Sequence, residues 1–422
     1  MSLKKLLLMG SLSFVSSLLQ AAPLEDVIGV SAHVKGMAGA GVALSRDSSA
    51  TFYNPAHLAD CASSKVTVGY DFFKTVLSTR DVSGKDWESS QVGDAHLVNL
   101  GACLKIFPTL GLGIQVSAGA QPSVRATMTT QTAEPYVPMY NGALKSPSIM
   151  AGLGFKPIPE FSVGFSGIMN NLISIKQNGS IPVLSGQFTS DVVADVKPSL
   201  AFIAGINFNP VSSLVASLVY RSRSFNQFGA QINIKSAGLP VDILLDGALD
   251  YSPRQVALGA SYQPLPKLTI GADATYYLWS SYQSPFLRAE SGSEGSLLSK
   301  DQFIKNTPIQ FRNTIVPRIG AEYVFNEKTA VRLGYAFKMT PAPVPTGDIN
   351  LLDSNAHHFS LGAGHVLVTR EKVSLSLDLF LGFALLEKIT VNKGTADTIP
   401  QPRQYTFGGG TYNTGIALTA NY

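Results

Sequence analysis

The sequence predicts an all-β protein, a transmembrane antiparallel β-barrel of about 14 strands with an N-terminal hatch, or plug, in its lumen. Three observations carry that expectation. Long stretches alternate apolar and polar residues with period two, as a strand with one greasy and one wet face does. The connections between those stretches are alternately short and long, the arrangement of outer-membrane barrels. No stretch of the body of the chain reaches the ~20 apolar residues that a membrane-spanning helix needs, so a membrane crossing must use closed strands.

Composition narrows the function classes. Only 14% of the 422 residues are charged, and the apolar fraction is an ordinary 45%. A disordered chain needs the opposite balance. The net charge of +4 is spread without a basic run, which argues against nucleic acid as a partner. Two cysteines are too few for a disulfide scaffold or a cysteine zinc site.

In chain order, Lys4 and Lys5 precede a serine-broken apolar stretch from Leu6 to Leu19 and the small residues Ala21 and Ala22. That is the pattern of a secretory signal peptide, assigned to residues 1–22. Residues 23–62 lack the alternation and are assigned to the hatch. Residues 63–422 make the barrel, with strands expected at 64–76, 95–106, 110–127, 146–156, 160–176, 191–207, 212–224, 251–263, 267–282, 312–325, 329–340, 356–369, 371–387 and 406–422. In the clearest, Val373, Leu375, Leu377, Leu379, Leu381, Phe383 and Leu385 share one face, with Phe380 an exception on the polar side. Short connections such as Phe107-Pro108-Thr109 alternate with long ones at 77–94, 128–145, 177–190, 225–250, 283–311, 341–355 and 388–405. A soluble sandwich also alternates faces but gives no reason for strict short–long alternation. Aromatic residues near strand ends, among them Tyr70, Phe107, Phe155, Phe208, Tyr220, Tyr262, Trp279, Phe325 and Phe337, are candidate girdle positions.

The hatch segment contains Gly36-Met37-Ala38-Gly39-Ala40-Gly41 and then Thr51-Phe52-Tyr53-Asn54-Pro55-Ala56-His57-Leu58. Gly39-x-Gly41 lacks the strand and acidic residue of a dinucleotide site. The run from Gly39 to Ala59, with its Asn54-Pro55-Ala56 motif, resembles the N-terminal hatch of the outer-membrane long-chain fatty-acid transporter family, which includes aromatic-hydrocarbon channels. His57 stands where that family usually has glycine. Ser252-Pro253-Arg254-Gln255-Val256, Pro317-Arg318-Ile319-Gly320 and Val331-Arg332-Leu333-Gly334 are similar to its middle and later strands. The resemblance implies a fourteen-stranded barrel plugged by its N-terminus. It implies passive transport, with a hydrophobic ligand captured outside and released through a lateral opening in the third strand. Gly119 and Pro122 are the candidate gate, because proline cannot donate to a strand ladder.

Strand parity puts Arg221, Arg223, Arg318, Arg332 and Lys338 on the polar side, with Asp273, Glu322 and Asp378. One reading is a cationic lumen that holds a fatty-acid carboxylate. The other is that these groups pair with one another and with Arg46 and Asp47. Loop apolar residues Phe225, Phe228, Leu239, Leu244, Leu245 and Phe286 are candidate cover for the greasy part of a ligand. Cys61 and Cys103 either pair as a disulfide tying hatch to wall or remain two free thiols. No Gly-x-Ser-x-Gly motif or histidine–carboxylate ligand spacing supports catalysis, and no cofactor or metal is called for. The expected setting is the Gram-negative outer membrane, with membrane lipids around a monomer. The C-terminal strand, ending in Tyr422, looks like the insertion signal for the barrel-assembly machinery. The alternatives are a general diffusion porin and a barrel lipid hydrolase.

Overall fold

The computed structural model describes Asp26 and residues 29–86, 94–119, 137, 147–170, 177–182, 189–197, 199–236, 239–282, 288–291, 309–347, 350–371, 373–394 and 402–422. The expected signal peptide, Pro122 and Phe286 lie outside these residues.

The described strands, in chain order, are β1 (Lys65–Asp81), β2 (Ala95–Phe107), β3 (Leu110–Gly119), β4 (Ser148–Ile158), β5 (Phe161–Asn170), β6 (Gln177–Pro182), β7 (Thr189–Lys197), β8 (Ser199–Val211), β9 (Leu214–Arg221), β10 (Ser224–Ser236), β11 (Leu239–Ser252), β12 (Gln255–Leu265), β13 (Leu268–Tyr277), β14 (Arg288–Ser291), β15 (Thr314–Asn326), β16 (Thr329–Lys338), β17 (Ala356–Arg370), β18 (Val373–Asn392) and β19 (Gln404–Asn421). Fourteen of them close an antiparallel barrel, and β1 seals it by pairing β2 on one side and β19 on the other. Among the described residues, each of the fourteen strands has a partner on both sides, which spares backbone groups exposure to hydrocarbon, where an unsatisfied one costs several kcal/mol.

The period-two pattern becomes two faces. In β18, Leu379, Leu381 and Leu385 are exposed on the outside, where lipid covers them, while Phe380, Gly382 and Ala384 are buried inside. Tyr70, Phe107, Phe155, Phe208, Tyr220, Tyr262 and Phe325 are exposed as a girdle requires, but Trp279 is 5% exposed and belongs to no girdle. It packs instead against Tyr251, Tyr282 and Phe311 in tilted and edge-on ring contacts.

The remaining five strands form a second sheet in the order β14-β11-β10-β7-β6. This corrects the expectation of loops at 177–190, 225–250 and 283–311. It also corrects the single strand expected at 191–207, which divides between β7 in the second sheet and β8 in the barrel. Only two residues separate β9 from β10, and two separate β11 from β12, so the ribbon runs out of the barrel with hardly a break. Gln231-Ile232-Asn233-Ile234-Lys235 alternates like a barrel strand, and nothing in its pattern marks where membrane ends.

Residues 29–61 run along the inner wall. They include α1 (Ala32–Lys35), α2 (Ala50–Tyr53) and a 3-10 helix at Pro55–Asp60. The wall makes room by shedding side chains. Gly111, Gly154, Gly164 and Gly205 are cross-strand partners across β3, β4, β5 and β8. A Cβ on any of them would overlap Asn54, Pro55 or Leu58. Across the bore, Gly271, Gly320 and Gly334 are partners across β13, β15 and β16, and a Cβ there would strike Leu44 or Met37.

Candidate functional site

Asn54, Pro55 and Ala56 each have a local physical role. Asn54 caps the 3-10 helix by accepting from the Ala56 amide at 3.1 Å. Its Nδ2 donates to the Val42 carbonyl at 3.1 Å and to Asn207 Oδ1 on β8 at 2.6 Å. One fully buried side chain thereby ties together two parts of the segment and the barrel wall. Pro55 starts the helix, where its missing amide costs nothing. The Pro55–Ala56 peptide lies directly on Gly164.

Below this helix Lys156 Nζ donates to Asp60 Oδ1 at 2.7 Å. Burial would raise the Asp60 carboxyl, but His57 and Lys156 outweigh it and hold the group down at about 2. His57 is fully buried, with Nδ1 3.4 Å from Asp60 and neither ring nitrogen in a hydrogen bond. Burial pushes its pKa below the ordinary imidazole value. Cys61 follows, and its Cα lies 6.6 Å from that of Cys103 on β2, the spacing of a disulfide.

The lumen cations are paired. Arg318 meets Asp273 at 3.2 Å and donates to Thr275 and Tyr277. Arg332 lies between Glu322 and Asp378, 2.6 Å from each, and crosses the space left by Gly362 and Gly364. Lys338 Nζ is 4.0 Å from Asp353. Arg221 donates to Asp26 Oδ1 at 2.6 Å and to the Phe52 carbonyl at 2.7 Å, with its guanidinium 3.9 Å from the Phe52 ring centre. Arg223 falls past the end of β9, exposed, 5.1 Å from the Phe225 ring, and does not join this set. The expected pairing with Asp47 is also different: Asp47 accepts from Ser31 and Ser49 within the segment. In the reverse sense, Lys35 of α1 reaches the wall, where Asp71 of β1 sits at 2.5 Å and Phe380 lies beneath it. That accounts for the one aromatic residue on the polar face of β18.

Two small connected cavities of about 80 and 60 Å³ share Asp26, Ala38, Tyr277, Arg318 and His358, and the larger also touches Phe52, Arg221 and Gln255. Both fall far below the roughly 300–1,000 Å³ of a ligand pocket. On the other side of the segment a polar recess of about 310 Å³ opens beside His33, Arg46, Lys65 and Asp378. Gly119 is the last residue of β3 and pairs Leu97, while β3 and β4 pair only as far as Ser117–Ser148.

Residues 12–422 match the sequence model of the family described as outer membrane protein transport protein (OMPP1/FadL/TodX). The chain belongs to this family. It is therefore an outer-membrane barrel of a family of hydrophobic-compound and fatty-acid transporters. The chain is similar to alkane uptake protein A of Marinobacter nauticus, 23% identical over 357 residues, 79% of this chain and 77% of that protein. In fold it is similar to a FadL homologue from Pseudomonas aeruginosa, with a TM-score of 0.63 at 18% identity, covering 97% of this chain and 99% of that one. The toluene transporter TodX of Pseudomonas putida gives a TM-score of 0.58 at 15% identity, covering 94% and 99%.

Sequence reasoning missed the glycine belts and Asp26. The belts are visible only once register is known, because their members lie many residues apart and become neighbours through pairing. Asp26 carries no motif at all.

Proposed function

We propose that the protein takes up hydrophobic compounds, fatty acids or hydrocarbons, passively across the outer membrane, with residues 23–62 acting as a movable hatch. The observation that carries this reading is that residues 29–61 lie against facing strands inside the barrel, with Asn54 bonded to Asn207 and Pro55 on Gly164, and that the two cavities beside Arg221 and Arg318, about 80 and 60 Å³, are too small for such a ligand. Passage therefore requires the segment to move. Many of its anchors are hydrogen bonds and ion pairs, which exchange partners without leaving a gap in a packed core. Capture among the long connections and exit toward lipid beyond Gly119 and Pro122 complete the route. The named activities of the Marinobacter and Pseudomonas putida proteins, alkane uptake and toluene transport, support a hydrophobic cargo. Insertion by the assembly machinery through β19 and action as a monomer fit a barrel closed within one chain.

The test is uptake by cells that depend on this protein, with hexadecane and palmitate as cargo. Asn54→Ala and Pro55→Ala should each lower uptake while the barrel still assembles in the outer membrane. Uptake equal to wild type would remove the hatch from the mechanism. Steady ion conductance by the unaltered protein would indicate a diffusion porin instead.

A further inference from the structure

We propose that Arg221 and Gln255 of the barrel wall, with Ser252 at the end of the second sheet, form a carboxylate-binding site, filled in this structure by the chain's own Asp26, which the headgroup of an anionic amphiphile displaces. The inference rests on the uptake reading above and adds to it the chemistry of the ligand's polar end.

The three residues converge. Arg221 and Gln255 are cross-strand partners on β9 and β12, and Ser252 ends β11 three residues before Gln255. Around Asp26, Arg221 Nη1 donates to Oδ1 at 2.6 Å. Ser252 Oγ donates to Oδ2 at 2.5 Å and Gln255 Nε2 to Oδ2 at 3.4 Å. Three donors from three strands around one carboxylate make a preformed anion site.

Two observations mark the occupant as replaceable. Among the described carboxylates that neutralise lumen arginines, Asp26 alone belongs to the N-terminal segment; Asp273, Glu322 and Asp378 are fixed in the wall beside their partners. Arg221 is also 9% exposed, yet its Nε has no hydrogen-bond partner. Asp26 and the Phe52 carbonyl occupy the two terminal nitrogens and leave that donor unused. A carboxylate on a mobile chain can turn to engage it as part of a bidentate pair. The adjoining cavity, with Val219, Ala257 and Phe52 on its lining, would receive the first methylenes behind the headgroup.

Charge decides which ligands can make the exchange. One carboxylate replaces another and Arg221 stays paired. A neutral hydrocarbon that displaced Asp26 would leave a buried cation uncompensated, the costly outcome for an ion pair. Asp26 is tethered and acts as a competitor at high effective concentration. Its removal should therefore tighten anionic ligands selectively.

The experiment measures equilibrium binding of radiolabelled palmitate and hexadecanol to the purified protein in non-ionic detergent. Heat-modifiable electrophoretic mobility confirms a folded barrel for each variant. Asp26→Asn should tighten palmitate about tenfold and leave hexadecanol within about twofold. Arg221→Gln should abolish any preference of palmitate over hexadecanol, and Ser252→Ala should reduce that preference in a variant with the arginine intact. An Asp26→Asn protein that binds palmitate no more tightly, or tightens both ligands equally, overturns the site. If wild type binds neither ligand, the uptake reading fails first; if both bind but Asp26→Asn does not separate them, only the site fails.

Discussion

His57 is fully buried, and its environment has a measurable consequence. Buried without a hydrogen bond, it resists protonation in the docked segment, whereas a released segment would titrate near the ordinary 6.5. The released state then binds more protons below that value, so docking is fully favoured above pH 6.5 and weakens as pH falls, by up to about 1.4 kcal/mol per pH unit. Asp60 adds the same sign lower down: its contribution is present above 3.8 and is lost as pH falls toward about 2. Ion conductance of the reconstituted protein should therefore rise on acidification below pH 6.5, and His57→Leu should flatten that rise. A second prediction concerns Asn54. Its replacement by Ala strips the cap and leaves the Val42 carbonyl and Asn207 short of a donor, at a cost of about 1–3 kcal/mol. The effect should appear as faster amide exchange in residues 42–60 with barrel strands unchanged. The Asn54-Pro55-Ala56 motif was legible in the sequence by resemblance, but its wall contact was not, since Asn207 lies 153 residues away.

Elements show why the strand pattern was readable and the two sheets were not. Alternation reports one buried and one covered face, and it names neither the lipid that covers the outside nor the point where lipid stops. Alternation therefore places barrel strands such as β17 within a few residues, while β10 and β11 read as loop because nothing in their pattern marks the end of lipid. Parity was reliable within a strand: Arg318 and Arg332 lie inside as expected, and the rule fails at Arg223 because the strand has ended. The glycine belts are the elements' other contribution. Gly164→Leu would drive a side chain into the Pro55–Ala56 peptide, and two rigid backbones cannot both remain in place. The barrel ladder should survive and the 3-10 helix should be displaced, read as a conductance step absent from wild type. Gly167, whose added Cβ meets nothing, is the control: Gly167→Ala should leave conductance unaltered.

For the whole molecule, we propose that a disulfide joins the segment to the wall in addition to the packing between them. The proposed Cys61–Cys103 bond would close a 42-residue separation and add about 4 kcal/mol by chain entropy. Protein from the oxidising envelope should take up no maleimide after denaturation without reductant; two labels per chain would mean free thiols. Deletion of residues 24–62 should leave an assembled barrel that conducts ions steadily, because the strand network closes without the segment. The mature protein should need detergent, given the apolar outer surface that runs from Val66 to Tyr422. The interlocking of cork and wall also constrains how this lineage can change. Where the Met37–Ala38 peptide rests on Gly334, the main chain of the cork leaves no room for a Cβ on the wall. In an alignment of descendants, position 334 should therefore stay glycine whatever side chain stands at position 37, so that one site on the wall records the path of a backbone.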